Sequence, residues 1–340
     1  MRFDTHLTAP LGAVGDQARA LRAMGLDGVY TFENAHDVFF PLVEAALATD
    51  VDVYPNVAIA FPRSPMHLAV QAWDLQTITN GRFALGLGTQ VKAHVERRYS
   101  ATWDKPVGRM RELVESIRAV FRCWQDGEKL DFRGDHYTLT LMPPTFAPEA
   151  LECGPPPIWV GALGPQMTRM VASTADGLLV HPFMTEAYAR DVMQPVIADG
   201  LDRGGRTRDD FMVGIDAIVC TGRDDAEREV ADTGTRWLLS FYGSTPAYRP
   251  VLDQLGYGDL QPELNTLSKE GRWAEMPALI DDALLDHIAM RGTPAEVADA
   301  LAHRYDGVAD RIGFYLPYQH DDDLIGEVMD HVRSIVPAPA

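Results

Sequence analysis

Short apolar, β-branched runs alternate along the chain with longer stretches whose apolar positions recur every three or four residues, the mark of strands and amphipathic helices in turn. Phe3–Leu7 reads as a strand, followed by a helix over Asp16–Ala23 that stops at Gly25. Gly28–Phe32 and Val51–Ala60 read as the next strands, with a helix over Pro41–Ala48 between them. Pro65–Thr79 carries Leu68, Trp73, Leu75 and Ile78 at near-helical spacing and leads to a fourth strand, Phe83–Leu87. A long helix is predicted over Pro106–Trp124, ended by Gly127. Four more strands follow at Ile158–Val160, Gly177–Val180, Val213–Val219 and Arg311–Leu316. Their helices are predicted over Met167–Ala175, Ala187–Arg203, Ala226–Ser240 and Pro294–Tyr305, with Asp323–Val336 closing the chain. Strand–helix alternation implies parallel pairing, because each crossover needs a helix. Eight such units favour a closed (β/α)8 TIM barrel over an open doubly wound sheet.

Two segments exceed a minimal barrel. Residues 129–157 hold a hairpin-like stretch (LDFRGDHYTLTLM) and then a proline-rich one; residues 241–290 are long, polar and aromatic without clear strands. Both are expected as insertions at the C-terminal face, where barrels build their active-site mouths. With no linker, repeat or low-complexity tract, the expectation is a single domain over 1–340.

Composition narrows the function. In 340 residues, 30 Lys and Arg stand against 49 Asp and Glu, a net charge of −19. Such a surface repels phosphate backbones and anionic headgroups, so neither nucleic acid nor membrane is an expected partner. No apolar run is long enough to span a bilayer, and the N-terminus lacks the pattern of a signal peptide. The three cysteines are scattered and form no CxxC pair, which argues against a thiolate metal site and fits a reducing cytoplasm. No metal ligand set is expected; His6 stands without a second histidine in an HxH pair.

In a barrel, reactive groups sit just after each strand. After the second come Glu33, His36 and Asp37, a carboxylate and an imidazole suited to orienting a ligand or exchanging protons; the competing reading is a capping cluster. After the third, Arg63 stands where it would meet an anion or pair with a carboxylate. After the fourth, Gly86-Leu-Gly-Thr89-Gln90 precedes Lys92, His94, Arg97 and Arg98, the densest basic cluster in the chain; it reads as an anion site or a solvated helix face. After the fifth, Gly161-Ala162-Leu163-Gly164-Pro165-Gln166 opens a helix, offering free N–H groups and the positive end of the helix dipole to a phosphate. His181 ends the sixth. The tryptophans and methionines read mainly as packing residues.

These strand-end motifs, in this order, resemble the luciferase-like monooxygenase superfamily, and most of all its branch dependent on the deazaflavin coenzyme F420. The residues that carry the resemblance are YTFENAHD (30–37), VAIAFPRSPMHLAVQAWDLQTITNGRFALGLGTQVKAHVERRY (57–99) and PPIWVGALGPQMTRMVASTADGLLVHPF (156–183). FYGSTPAYRPVLD (241–253) is similar to an actinobacterial subfamily of that branch.

The resemblance implies an F420-dependent oxidoreductase that moves a hydride between the deazaflavin and a small organic substrate, working as a homodimer; the helix 65–79 is a candidate dimer face. It implies a bulge in strand three with a non-prolyl cis bond at Asn56–Val57, followed by Ala58, backing the ring system. Glu33 would lie beside the ring, Thr89, Gln90 and His181 around it, and Gly161, Ala162, Leu163, Gly164, Pro165 and Gln166 on the cofactor phosphate. The anionic tail would lie near Lys92, Arg97 or Arg98. Many relatives place a histidine directly after the acidic residue. This chain has Asn34 there, which leaves His36 or His94 to move the proton together with Glu33. The alternatives are an FMN-dependent monooxygenase of the same superfamily, served by oxygen and a reductase, and a non-catalytic flavin-binding barrel.

Overall fold

The structure, a computed structural model, describes residues 1–337. Its centre is a barrel of eight parallel strands: β1 (Arg2–His6), β2 (Gly28–Thr31), β3 (Asp52–Pro55, resuming at Ala58–Ile59), β4 (Leu85–Gly88), β5 (Ile158–Ala162), β6 (Gly177–Val180), β7 (Met212–Thr221) and β8 (Arg311–Tyr315). Neighbours in sequence are neighbours in space, and β8 pairs with β1. The ring closes where Val53 bridges Phe83 and Ala58–Ile59 pairs with Leu87–Gly88. The (β/α)8 expectation therefore stands, and the open sheet is excluded.

The apolar pattern alone reads strand three as one run over 51–60, whereas the resemblance implies a break with a cis bond at Asn56–Val57; the break is what the structure shows. The strand stops at Pro55, passes through the cis peptide and resumes at Ala58. Two glycines make the split possible. A Cβ on Gly86 would lie 1.8 Å from the Pro55 carbonyl oxygen, and one on Gly88 would lie 2.2 Å from Val57 Cγ2. Only backbone without side chains admits such an approach.

The helices follow the apolar periodicity, and their ends follow local chemistry. Ser64 accepts a hydrogen bond from the His67 N–H, with Pro65 in the first turn. Thr293 and Glu296 form a reciprocal capping box. The helix expected over 187–203 is interrupted by a π-helical turn at Ala189–Met193, just before Pro195. Proline lacks the N–H that would continue the ladder, so the preceding turn widens.

The insertions differ from expectation in place and content. Residues 129–157 follow a helix and lead into β5, so they form an αβ connection rather than a loop after a strand. Their hairpin (Phe132–Arg133 with Thr138–Leu139) nevertheless reaches back along the helix Pro106–Asp126. There the Glu112 carboxylate accepts the N–H groups of Asp135 and His136, at 3.0 and 2.7 Å. Residues 241–290 are helical, with Arg249–Gln254, Leu260–Lys269 and Asp282–Ile288. On the outside, Phe40, Leu47, Val70 and Ile78 stand exposed on the helices Phe40–Ala48 and Pro65–Thr79.

The N-terminal end of the barrel is sealed by a charged plug. Asp4 takes both Arg311 Nε and Nη2 at 2.7 Å and the Tyr54 hydroxyl at 2.7 Å. Arg311 also reaches Asp52 at 2.6 Å. Burial opposes the charge on Arg311, but the Asp4 carboxylate beside it keeps its pKa raised. Gly28 leaves the room: a Cβ there would come within 2.6 Å of both Asp4 and Arg311.

Candidate active site

Above the plug, the barrel interior changes character. Tyr30 stacks on Tyr54 at 5.4 Å, and Trp159 meets Tyr54 edge-on at 5.1 Å. At the next level Asn56 Nδ2 donates to Asp216 Oδ2 at 2.8 Å. Burial pushes the Asp216 carboxyl up to about 7, against the pull of hydrogen bonds from Asn56 and Tyr30. Gly313 makes space for this pair, since its Cβ would lie 2.3 Å from Asp216 Oδ1.

On one side of the mouth, Val57 projects into a seat made by two glycines. Its Cγ atoms would meet a Cβ on Gly88 at 2.2 Å and one on Gly161 at 3.3 Å. Glu33 does not stand free as expected of a proton-transfer group. Its Oε2 accepts from the Ile59 N–H at 2.6 Å and from Arg63 Nη1 at 2.7 Å, and its Oε1 accepts from the Tyr99 hydroxyl at 3.3 Å. It ties the resumed half of β3 to its neighbours. Arg63 also faces Asp37 at 3.7 Å, so it is paired rather than waiting for an anion.

His36 and His94 are both exposed, on the loop after β2 and on the short helix Lys92–Arg97. The two segments abut, because the Arg98 guanidinium donates to the Asn34 carbonyl. Lys92 is exposed and faces Glu96 at 3.7 Å. Gln90, at the rim after β4, sits in the left-handed region (φ 58°), and the Thr89 hydroxyl donates to its carbonyl.

After β5 the chain passes through half-buried Leu163 to exposed Gly164, the N-cap of the helix Pro165–Thr174. No side chain caps this helix, and the space around Gly164 is open. His181 is enclosed by the chain itself: its ring lies 4.5 Å from both Tyr242 and Tyr248, and its Nδ1 accepts from the Phe183 N–H at 3.2 Å. Burial pushes its pKa down to about 3, so it is neutral at physiological pH.

Sequence reasoning gave no site role to His6, Asp216, Tyr242 or Tyr315. His6 is the last residue of β1, and its ring lies 5.2 Å from Phe32 and 5.5 Å from Tyr315. Sequence reasoning weighed it only as a metal ligand and set it aside for want of a second histidine. Asp216 was legible as the lone acidic residue within the apolar run of β7. No group of three or more metal-ligating side chains occurs among the described residues.

The closed parallel barrel, with its glycine-seated break in strand three and uncapped helix after strand five, is the frame on which a family match falls. Residues 2–311 match the family luciferase-like monooxygenase, and the chain belongs to it. The chain is 45% identical over 313 residues to an uncharacterized protein of Mycobacterium tuberculosis, covering 92% of each. It is 27% identical over 299 residues to a putative coenzyme F420-dependent oxidoreductase of the same organism, covering 82% of this chain and 83% of that one. In fold it is similar to the coenzyme F420-dependent tetrahydromethanopterin reductase of Methanopyrus kandleri, with a TM-score of 0.78 at 17% identity over 98% of each chain. The family is one of enzymes, and its F420-dependent oxidoreductases are among this chain's homologues.

Proposed function

We propose that this chain is a coenzyme F420-dependent oxidoreductase that transfers a hydride between the deazaflavin and a small organic substrate. The observation that carries this reading is the pairing of two features on β3 and β5, the strands on either side of β4. Val57 offers an apolar prominence held rigid from behind by Gly88 and Gly161, and the helix opening at Pro165 offers uncapped amides beside it. A flat ring with a phosphate handle needs such a pair. The residues present fit the group: the space at Gly164 is open, and Thr89 after β4 and Ala162 and Leu163 at the end of β5 are half-buried. The homologue named for F420 supports the same cofactor.

Bound there, a 5-deazaflavin supplies hydride chemistry with little reactivity toward oxygen. The chain's own residues do the rest. Glu33 and Arg63 fix the resumed half of β3, so that Val57 keeps its height in the mouth. The amides after Gly164 hold the anionic handle, and exposed Lys92 and Arg97 stand where a longer anionic tail would emerge. The aromatic residues on the opposite side of the mouth exclude water from the reacting carbon.

Gly164→Asp tests the phosphate assignment. An aspartate N-cap satisfies the free amides and repels an anion, so stability should hold or rise. F420 affinity, read by cofactor fluorescence, should fall by about tenfold or more, equivalent to about 1.4 kcal/mol. Unchanged affinity would overturn the site. Parallel titration with FMN separates the two cofactors: tighter FMN binding would favour the oxygen-using monooxygenase.

A further inference from the structure

The wall of the mouth from β8 through β1 and the end of β2, continued past β6, is aromatic; the nearest carboxyl, Asp216 of β7, lies below it and is tied to Asn56 at 2.8 Å. His6, Phe32, Tyr315, Tyr242, Tyr248 and His181 form a continuous aromatic wall. His6 contacts Phe32 at 5.2 Å and Tyr315 at 5.5 Å. The Tyr315 and Tyr242 hydroxyls face one another. His181 links Tyr242 to Tyr248 at 4.5 Å on either side. The arginines at neighbouring strand ends are already engaged. Arg63 pairs with Glu33 at 2.7 Å, and Arg223 pairs with Asp321 at 2.6 Å and Glu327 at 2.9 Å. Nothing in this wall is left to hold a phosphate or a carboxylate.

Within this wall, His6 holds a nitrogen that the fold leaves unused. His6 Nδ1 is sealed from solvent with no hydrogen-bond partner. Nε2 is not among the sealed atoms, and His6 ends β1 on the inward side shared with Asp4, so that edge of the ring faces the mouth; among the described residues, the Phe314 backbone is the one main-chain group that acts on the ring. Burial also pushes the His6 pKa down to about 4, leaving a neutral ring whose nitrogen can donate or accept one hydrogen bond. His320 is the other titratable group acting on this ring; its own Nδ1 lies 2.9 Å from the Tyr318 carbonyl.

We propose that the substrate is an uncharged, mainly apolar molecule carrying one hydroxyl or carbonyl oxygen, and that Nε2 of His6 makes the hydrogen bond to that oxygen. This rests on the hydride-transfer reading for its place in a reaction, but the recognition belongs to the protein alone. His6 thus supplies, from the end of β1, the imidazole that Asn34 does not supply after β2.

The test compares acetophenone, ethylbenzene and benzoate as probes of the full chain, by calorimetry, with and without F420. Acetophenone should bind about tenfold more tightly than ethylbenzene, the worth of one well-made hydrogen bond, and more tightly than benzoate. In 15N spectra it should shift the ring nitrogens of His6. His6→Phe should bring acetophenone down to the level of ethylbenzene while F420 still binds; should that variant fail to fold, the His6 ring shift in the unaltered protein decides. No binding of acetophenone, benzoate bound as tightly, or a His6 ring signal unmoved by bound acetophenone would each overturn the proposal. Loss of F420 binding with acetophenone recognition intact would instead overturn the cofactor reading alone.

Discussion

The two ends of the barrel solve opposite problems with the same kinds of side chain. At the N-terminal end the groups of the plug are paired: Asp4 faces Arg311 and Tyr54, and Asp52 shares the same guanidinium. At the C-terminal end polar groups stand idle: a sealed nitrogen on His6 and a helix start without a cap. A buried charge is tolerated only when fully matched, and that matching leaves nothing to offer a ligand. The rim is the place where hydrogen-bonding capacity has been withheld from the fold.

The comparison can be broken most forcefully at the plug. Asp4→Ala leaves Arg311 buried without its main partner and should cost about 3–5 kcal/mol of stability, read by denaturant unfolding. If the ends are independent, F420 affinity of the folded variant should stay within about twofold of the parent, since distant sites add.

Asp216, between the two ends, tests the boundary through pH. Its pKa rises from 3.8 in a free carboxyl to about 7 in the fold, so between those values only the folded protein keeps the proton. Stability contributed by this group therefore falls as pH climbs from 4 to 7, by up to about 4 kcal/mol. His6 and His181, lowered to about 4 and about 3, act in the opposite direction, losing stability as pH drops below 6.5. The difference between parent and Asp216→Asn isolates the carboxyl: the variant should gain on the parent steadily from pH 4 to pH 7. A flat difference would mean that Asp216 is ionised in the fold.

At the rim, Glu33→Gln should cost about 1–2 kcal/mol, because a neutral amide still accepts from Ile59 but no longer pairs with Arg63. Unlike the plug variant, it should also weaken F420 binding, because it loosens the support of Val57. Equal cofactor affinity in the two variants would erase the distinction between the ends.

Much of the barrel was legible because periodicity and punctuation agree. Gly177–Val180 and Pro65–Thr79 begin and end where the pattern places them. The strand-end motifs also led to the loops around Val57 and Gly164. What escaped was set by contacts between distant residues. Nothing in the local pattern reveals that Glu33 will be consumed by Ile59, Arg63 and Tyr99. The short helices of residues 241–290, interrupted by Pro246, Pro250, Pro262 and Pro277, lack a long periodic run to announce them, yet they bring Tyr248 over His181. His36 and His94 were chosen for their chemistry and lie exposed, while His6, set aside for lack of a metal partner, turns inward beside Phe32.

The hairpin of residues 132–139 gives the outer surface a grip on the mouth. Its turn hangs on the Glu112 carboxylate, and its Tyr137 hydroxyl takes Arg109 Nε at 3.1 Å, while another nitrogen of that arginine reaches the Phe61 carbonyl just beyond β3 at 3.2 Å. A change of sequence in that exterior ribbon can therefore reset the aperture near Phe61 without altering a single barrel strand, giving protein engineers a control that lies outside the chemistry it adjusts.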